Sequence, residues 1–150
     1  MTAKTPTPTL SHFFESVTIK TRGRGFYPLG EKLDRPLKVF HAQNGLLNVF
    51  LAHTSASLCI QENADPDVLA DLDRALARLA PEEAGYLHTI EGPDDMPAHI
   101  KTLLTATSLA LPVRGGSLAL GRWQEVYLIE HRNLPHTRRI EIDFIGYVDK

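Results

Sequence analysis

Cysteine is nearly absent from this 150-residue chain: Cys59 stands alone against seven histidines. A single thiol makes no internal disulfide, so a bridged scaffold is excluded and folding has to rest on a buried core. Aromatic residues make up only 7%, with one tryptophan, and neither charge is in surplus: 16 Lys+Arg face 18 Asp+Glu for a formal net charge of −2. A chain with a pI near 6.4 lacks the basic face that displaces counterions from phosphates, so no nucleic-acid partner is expected. Long apolar runs are missing as well. The most apolar stretch, Leu46 to Ala52, is broken by Asn48 and falls far short of the ~20 residues that cross a bilayer, so no membrane partner is expected. Met1 to Thr9 is rich in Thr and Pro without an apolar centre. Residues 1–10 therefore read as a flexible N-terminal tail, and a cytoplasmic location follows. No phosphate-cradling glycine loop, dinucleotide fingerprint, zinc-finger spacing or nucleophile elbow is present.

What remains is an ordinary globular composition, 43% hydrophobic and 23% charged, enough for one domain over residues 11–150. Phe13 to Thr21 alternates with the period of a strand. Leu29, Leu33, Leu37 and Phe40 recur at helical spacing, with Pro36 set to kink or divide that helix. Asn44-Gly45 signals a turn, and Leu46 to His53 reads as a central strand covered on both faces, continued in extended form over Ala56 to Ile60. The clearest helix is capped by Asp65, has Pro66 at its first position and carries an apolar stripe of Val68, Leu69, Leu72, Ala75, Leu76 and Leu79 up to Pro81. A second runs from about Asp95 to Ala106, with Ile100, Leu103 and Leu104 toward the core. The last third reads as strands: a hairpin around Gly115-Gly116 with Pro112 on an edge, then Trp123, Tyr127, Ile129 and His131 on one face, then Ile140, Ile142 and Phe144. Helices between groups of strands imply an α+β fold, a single compact domain with a largely antiparallel sheet and two main helices.

The chemistry-bearing residues are scattered polar groups at element ends. His53 closes an apolar strand, His88 precedes Glu91, His99 lies in the first turns of a helix, and His131 follows Glu130. Neutral imidazoles beside carboxylates suit zinc or another divalent ion. Glu91, Asp94 and Asp95 could hold a hard cation such as magnesium or move a proton, and Asp94 or Asp95 could instead simply cap the helix. Thr54, Ser55 and Ser57 place hydroxyls and backbone N–H groups beside His53, with Lys101, Arg132 and Arg139 among the cations able to complete a phosphate seat. Cys59, alternating with Ser57, reads as a packing residue.

Taken in order, His53-Thr54-Ser55-Ala56-Ser57-Leu58, Glu62-Asn63-Ala64-Asp65-Pro66, His88, Glu91-Gly92-Pro93-Asp94-Asp95-Met96-Pro97-Ala98-His99-Ile100-Lys101, Leu118-Ala119-Leu120-Gly121-Arg122-Trp123-Gln124, Glu130-His131-Arg132 and Arg138-Arg139 resemble the YjbQ-like family. The resemblance implies small α+β subunits assembled as a homotrimer, and a secondary thiamine-phosphate synthase activity, a transferase reaction joining a pyrimidine diphosphate to a thiazole phosphate. It implies a polar centre of His53, His88, His99 and His131 with Glu91, Asp94 and Asp95. On that basis His88, His99 and His131 are expected to bind a divalent metal, zinc or magnesium. Glu91, Asp95 and His53 are expected to carry the catalysis, and Thr54, Ser55, Ser57, Lys101, Arg132 and Arg139 to hold a phosphorylated small-molecule substrate. The sequence departs from the family pattern at Arg122, Glu125 and Asn133 to His136, which would place a new Arg and Glu near the site. The rival expectation is a non-catalytic trimer that binds a phosphorylated metabolite or a protein partner. Purely structural histidines would instead show no metal and a trimer that dissociates near pH 6.

Overall fold

A computed structural model describes residues 8–149. Eight strands and three helices follow one another as β1 (Thr9–Lys20), β2 (Gly25–Pro28), α1 (Gly30–Val39), β3 (Ala42–Leu51), β4 (Ala56–Glu62), α2 (Pro66–Leu79), α3 (Asp95–Leu104), β5 (Ser108–Arg114), β6 (Ser117–Leu118), β7 (Gln124–Glu130) and β8 (Thr137–Val148). The α+β class holds, but the strands form two sheets and the helices number three. A five-stranded sheet has the order β1-β8-β3-β5-β6, and a three-stranded sheet the order β2-β7-β4. Every paired strand runs antiparallel. The core between them gathers Leu33 and Leu37 of α1, Leu47, Val49 and Leu51 of β3, Leu58 of β4, Val126 and Leu128 of β7, and Ile140, Ile142 and Phe144 of β8. β1 begins two residues inside the segment read as tail, because Thr9 and Leu10 pair with Val148 and Tyr147. Residues 1–7 of that tail lie outside the described residues.

Several local expectations are corrected, each for a physical reason. α1 passes through Pro36 unbroken: one backbone hydrogen bond is forgone, but Leu33 and Leu37 on either side are fully buried and hold the helix to the sheet. Asn44-Gly45 is no turn. It lies inside β3, where Gly45 and Gly146 face each other so closely that a Cβ on either would strike the opposite backbone. β3 is central in its sheet but covered on one face only: Leu47, Val49 and Leu51 are buried, whereas Leu46 and Phe50 are exposed. The strand covered on both faces is β7, buried continuously from Val126 to Glu130. α2 starts as read, with Asp65 Oδ1 accepting the Asp67 N–H at 2.9 Å, yet none of its residues is fully buried.

The largest reversal is in α3. Of the residues expected to face the core, Ile100 is half-buried but Leu103 and Leu104 are 85% and 54% exposed, while the helix buries Asp95, Pro97, Ala98, Lys101 and Thr102. The helix packs through Pro97 and Ala98 and turns Asp95 and Lys101 inward beside them, while its two leucines stay outside. No described helix is long and apolar enough to cross a membrane.

Candidate functional site

Three side chains converge where the loop before α3 meets its first turns. Asp95 and His99 are one helical turn apart and so share a face of α3. His88 Nε2 lies 2.7 Å from Asp95 Oδ2, and His99 Nε2 lies 3.1 Å from the same oxygen. The potential ligand atoms of His88, Asp95 and His99 all fall within 4.8 Å of one another. Asp95 is buried, whereas the His88 side chain is 41% exposed, so the group opens on one side to solvent.

Arg132 secures the carboxylates from behind. Its Nη1 donates to Asp95 Oδ1 at 2.6 Å, its Nε to Asp94 Oδ2 at 3.0 Å, and its Nη2 to the Glu91 carbonyl at 2.7 Å. The Asn133 N–H adds a further bond to Asp94 Oδ2 at 2.8 Å. Burial alone would raise both aspartates. In Asp94 the bonds from Asn133 and Arg132 outweigh it, in Asp95 those from His88 and Glu91 and the Arg132 charge, so both carboxyls sit below the ordinary range. Helix capping does not explain either residue: Asp94 occupies the cap position but makes no side-chain cap bond.

The proton count around His99 is informative. Its Nδ1 lies 2.9 Å from the Thr54 carbonyl, which only accepts, so Nδ1 carries the proton. In a neutral ring that leaves Nε2 as a bare lone pair, facing a carboxylate oxygen that is also an acceptor. Two acceptors at 3.1 Å are stable only if a second proton or a cation lies between them.

Behind this group is a second, deeper network. Ser57 Oγ and His131 Nε2 are 2.8 Å apart and both residues are buried. Burial, reinforced by Lys101, pushes His131 down to about 3, so its imidazole is neutral. Glu130, fully buried, accepts from Thr21 Oγ1, from the Arg132 N–H and twice from Arg138, which also reaches the Ser55 carbonyl. Lys101 is buried nearby, and burial with the neighbouring Arg24 charge holds its amine below the usual lysine value.

The structure brings His88, His99, Asp95, Asp94, Glu91 and Arg132 together, and gives the other sequence candidates separate partners. His131 joins Ser57 instead of the three-residue group. His53 Nε2 accepts from the Arg139 N–H at 2.7 Å, and burial with the Arg138 charge lowers its pKa. Arg139 pairs with Glu141 at the surface, and Arg132 is spent on the two aspartates. Thr54 lines an open groove of about 340 Å³ with His99, Thr102, Leu103, Thr105 and Thr107. Burial pushes the Cys59 thiol up to about 11, consistent with packing. Arg122 and Glu125 are not at the site: Arg122 lies over the Trp123 ring, and Glu125 accepts the Gly30 N–H at the start of α1. Sequence reasoning missed Thr21, Glu130 and the Asn133 N–H. The available signal for Glu130 was a charge directly after the apolar run Val126 to Ile129.

The family model described as UPF0047 protein YjbQ-like matches residues 15–147. A UPF0047 protein of Synechocystis sp. (strain ATCC 27184 / PCC 6803 / Kazusa) is 47% identical over 135 residues, covering 89% of this chain and 92% of its own length. The UPF0047 protein YjbQ of Escherichia coli O157:H7 is 42% identical over 127 residues, covering 84% and 92%. Among solved structures, a YjbQ/UPF0047 family protein of Clostridium acetobutylicum superposes with a TM-score of 0.81 at 31% identity, covering 87% of this chain and 99% of its own. A YbjQ-like protein of Sulfolobus solfataricus P2 shares the fold, with a TM-score of 0.83 at 19% identity over 92% and 99%.

Proposed function

The chain belongs to the UPF0047 YjbQ-like family, and we propose that it is a metal-assisted enzyme acting on a phosphorylated small molecule. The observation that carries this reading is the convergence of His88 Nε2, Asp95 Oδ2 and His99 Nε2, all within 4.8 Å of one another, with His99 Nδ1 directed to the Thr54 carbonyl. Two imidazoles and a carboxylate make the three-ligand set of a catalytic zinc site, which keeps a fourth position open. The Thr54 carbonyl on His99 Nδ1 and Arg132 on Asp95 are the outer contacts that orient such ligands. His88, Asp95 and His99 would hold the ion, with Asp95 taking the place the sequence reading gave to His131.

A divalent ion at this position supplies charge against phosphate oxygens and lowers the pKa of bound water. The remaining work falls to the chain. Asp95 is occupied on both oxygens, so proton transfer falls to exposed Glu91, whose carboxyl lies beside it. His53 has Nε2 committed to the Arg139 backbone and serves to position that strand. The groove beside His99 has the volume of a small-molecule site and offers threonine hydroxyls to a polar ligand. Thiamine-phosphate synthesis from a pyrimidine diphosphate and a thiazole phosphate is the transfer this reading includes as a side activity. The protein is proposed to work as a homotrimer. The support is apolar surface that the protomer leaves uncovered, above all Leu10, Phe14, Leu46, Phe50, Ile145 and Tyr147 on the outer face of the five-stranded sheet.

The test is elemental analysis of the purified protein alongside His99→Ala and Asp95→Asn variants. Bound zinc or another divalent ion, lost in both variants, is expected; equal metal content in all three overturns the ligand set. Glu91→Gln should then lower the rate of product formation by roughly 10²–10⁴-fold with metal retained. A variant that keeps its full biological activity would favour a non-catalytic binding trimer.

A further inference from the structure

Two stretches of the chain that the group at His88 leaves unused meet at the far end of the three-stranded sheet. Asn63 follows β4 and Trp123 precedes β7, and the Asn63 N–H donates to the Trp123 carbonyl at 3.0 Å. The turn there is held at both ends: the Gly121 N–H donates to Gln124 Oε1 at 2.7 Å, and the Gln124 N–H to the Gly121 carbonyl at 3.0 Å. On it stands the only tryptophan of the chain, 55% exposed, with the Arg122 guanidinium 4.7 Å over its ring. Arg122 makes no ion pair among the described residues. The strand register sets its distance from the His88 group. Glu62 pairs with Gln124 at one end and Ala56 with Glu130 at the other, six residue steps of about 3.3 Å and so roughly 20 Å away. His99 bonds to the Thr54 carbonyl beyond that second pair, so Trp123 does not reach the site of its own chain.

The loop between α2 and α3, residues 80–94, carries the matching surface. Leu87 and Ile90, on either side of His88, are 103% and 95% exposed, and the Glu83 and Glu91 side chains beside them are exposed as well. Aliphatic groups in full contact with water among carboxylates complement an aromatic ring that carries an unpaired guanidinium, apolar against apolar and anion against cation. Because the two surfaces lie at opposite ends of one chain, they meet only between copies, head to tail. We propose that the Gly121 to Gln124 turn of one copy docks on the loop between α2 and α3 of a second copy, with Trp123 over Leu87 and Ile90 and Arg122 facing Glu83 and Glu91. The neighbouring copy then supplies the outer wall of the His88, Asp95 and His99 group, on the side this group leaves open to solvent. The identity of the site so closed rests on the ligand set proposed above; the contact itself needs no metal.

Trp123 emission reads the contact directly, since no other tryptophan contributes. In the assembled protein, followed by light scattering after size exclusion, the emission should lie at short wavelength and resist quenching by acrylamide. Leu87→Glu with Ile90→Glu, at two exposed positions whose replacement spares the core, should move that emission to long wavelength and weaken the assembly, although both lie at the opposite end of the chain from its own Trp123. Trp123→Ala should weaken association by roughly 30-fold or more, the effect of a buried aromatic anchor, and Arg122→Glu by less than about tenfold. Cobalt(II) added to the metal-free protein tests the closure of the site: it should quench Trp123 in the assembly and not in the Leu87→Glu, Ile90→Glu protein. Cobalt bound without quenching overturns the closure. A tryptophan shielded in the assembly while no cobalt binds refutes the metal centre and leaves the contact standing. The contact is overturned by an assembly in which Trp123 is as accessible to acrylamide as in the urea-unfolded chain, or by an emission that the loop variant does not move. A monomeric wild-type protein overturns it too, and leaves the loop open to an unlike partner.

Discussion

Glu130→Gln isolates the network that supports the site from behind. Each carboxylate oxygen of Glu130 receives two donors: Oε1 those of the Arg132 N–H and Arg138 Nη2, Oε2 those of Thr21 Oγ1 at 2.9 Å and Arg138 Nε at 2.7 Å. Glutamine has the same shape, but its amide NH₂ replaces one oxygen and must confront two donors, while Arg138, 3% exposed, loses its charge partner. Breaking one side of a buried pair costs about 3–5 kcal/mol, a large share of the roughly 5–15 kcal/mol that holds a domain together. For a chain of this size the midpoint of thermal unfolding should fall by roughly 6–20 °C.

Urea titration and thermal melts on wild type and variant read this directly. Replacing both partners, Glu130→Leu with Arg138→Met, should recover much of the loss, because the penalty lies in the orphaned charge. The pH dependence has a fixed sign. Burial would raise Glu130, but the bonds from Arg138 and the Arg132 N–H prevail, and its carboxyl lies below the ordinary 4.5. Its stabilisation is present above that ordinary value and is lost as pH falls through the lower folded one. The gap between wild type and variant should be constant near neutrality and close only in acid. A loss under about 1 kcal/mol at neutral pH would refute the claim that this pair is buried and desolvated.

Two shorter predictions concern other residues. Glu125→Ala should cost about 1 kcal/mol in urea titrations, since its Oε1 accepts the Gly30 N–H and α1 has no other side-chain cap, and it should leave metal content unchanged. His131, held down to about 3 from an ordinary 6.5, should show no ring-proton titration by NMR at or above about pH 5. Its neutral burial favours the fold above 6.5, and that contribution is lost progressively as pH falls from there toward 3. A midpoint near neutrality would mean the ring is solvated.

The legible parts of the fold were those set by local rules. Asp65-Pro66 and the apolar stripe located α2, and the alternation of Ile140, Ile142 and Phe144 located β8 and its buried face. The failures came where tertiary context governs. Gly45 reads as a turn in isolation and becomes a close crossing only because Gly146 lies opposite. The apolar run of β3 does not tell whether its second face is met by the same chain. The motif histidines were visible, but spacing along the chain could not say that His131 turns toward Ser57 while Asp95 takes its place beside His88 and His99. Arg132, read as a substrate ligand, is consumed by two aspartates for the same reason: its partners lie 37 and 38 residues away.

Two of the exposed apolar surfaces, the outer face of the five-stranded sheet and the outward leucines of α3, lie on different elements of the protomer, and this bears on assembly. A two-fold dimer joins one patch to itself, whereas two unlike patches that meet head to tail close into a ring, of which a trimer is the smallest. Phe14→Glu on the sheet and Leu103→Glu on α3 should then each dissociate the proposed trimer, followed by light scattering after size exclusion. Mixing the two variants separates the geometries. In a head-to-tail ring each variant keeps one sound face, so the mixture should form a heterodimer that neither makes alone. If each patch met itself, each variant alone would still dimerise through its sound patch. A mixture that remains monomeric although both single variants are folded would refute the ring.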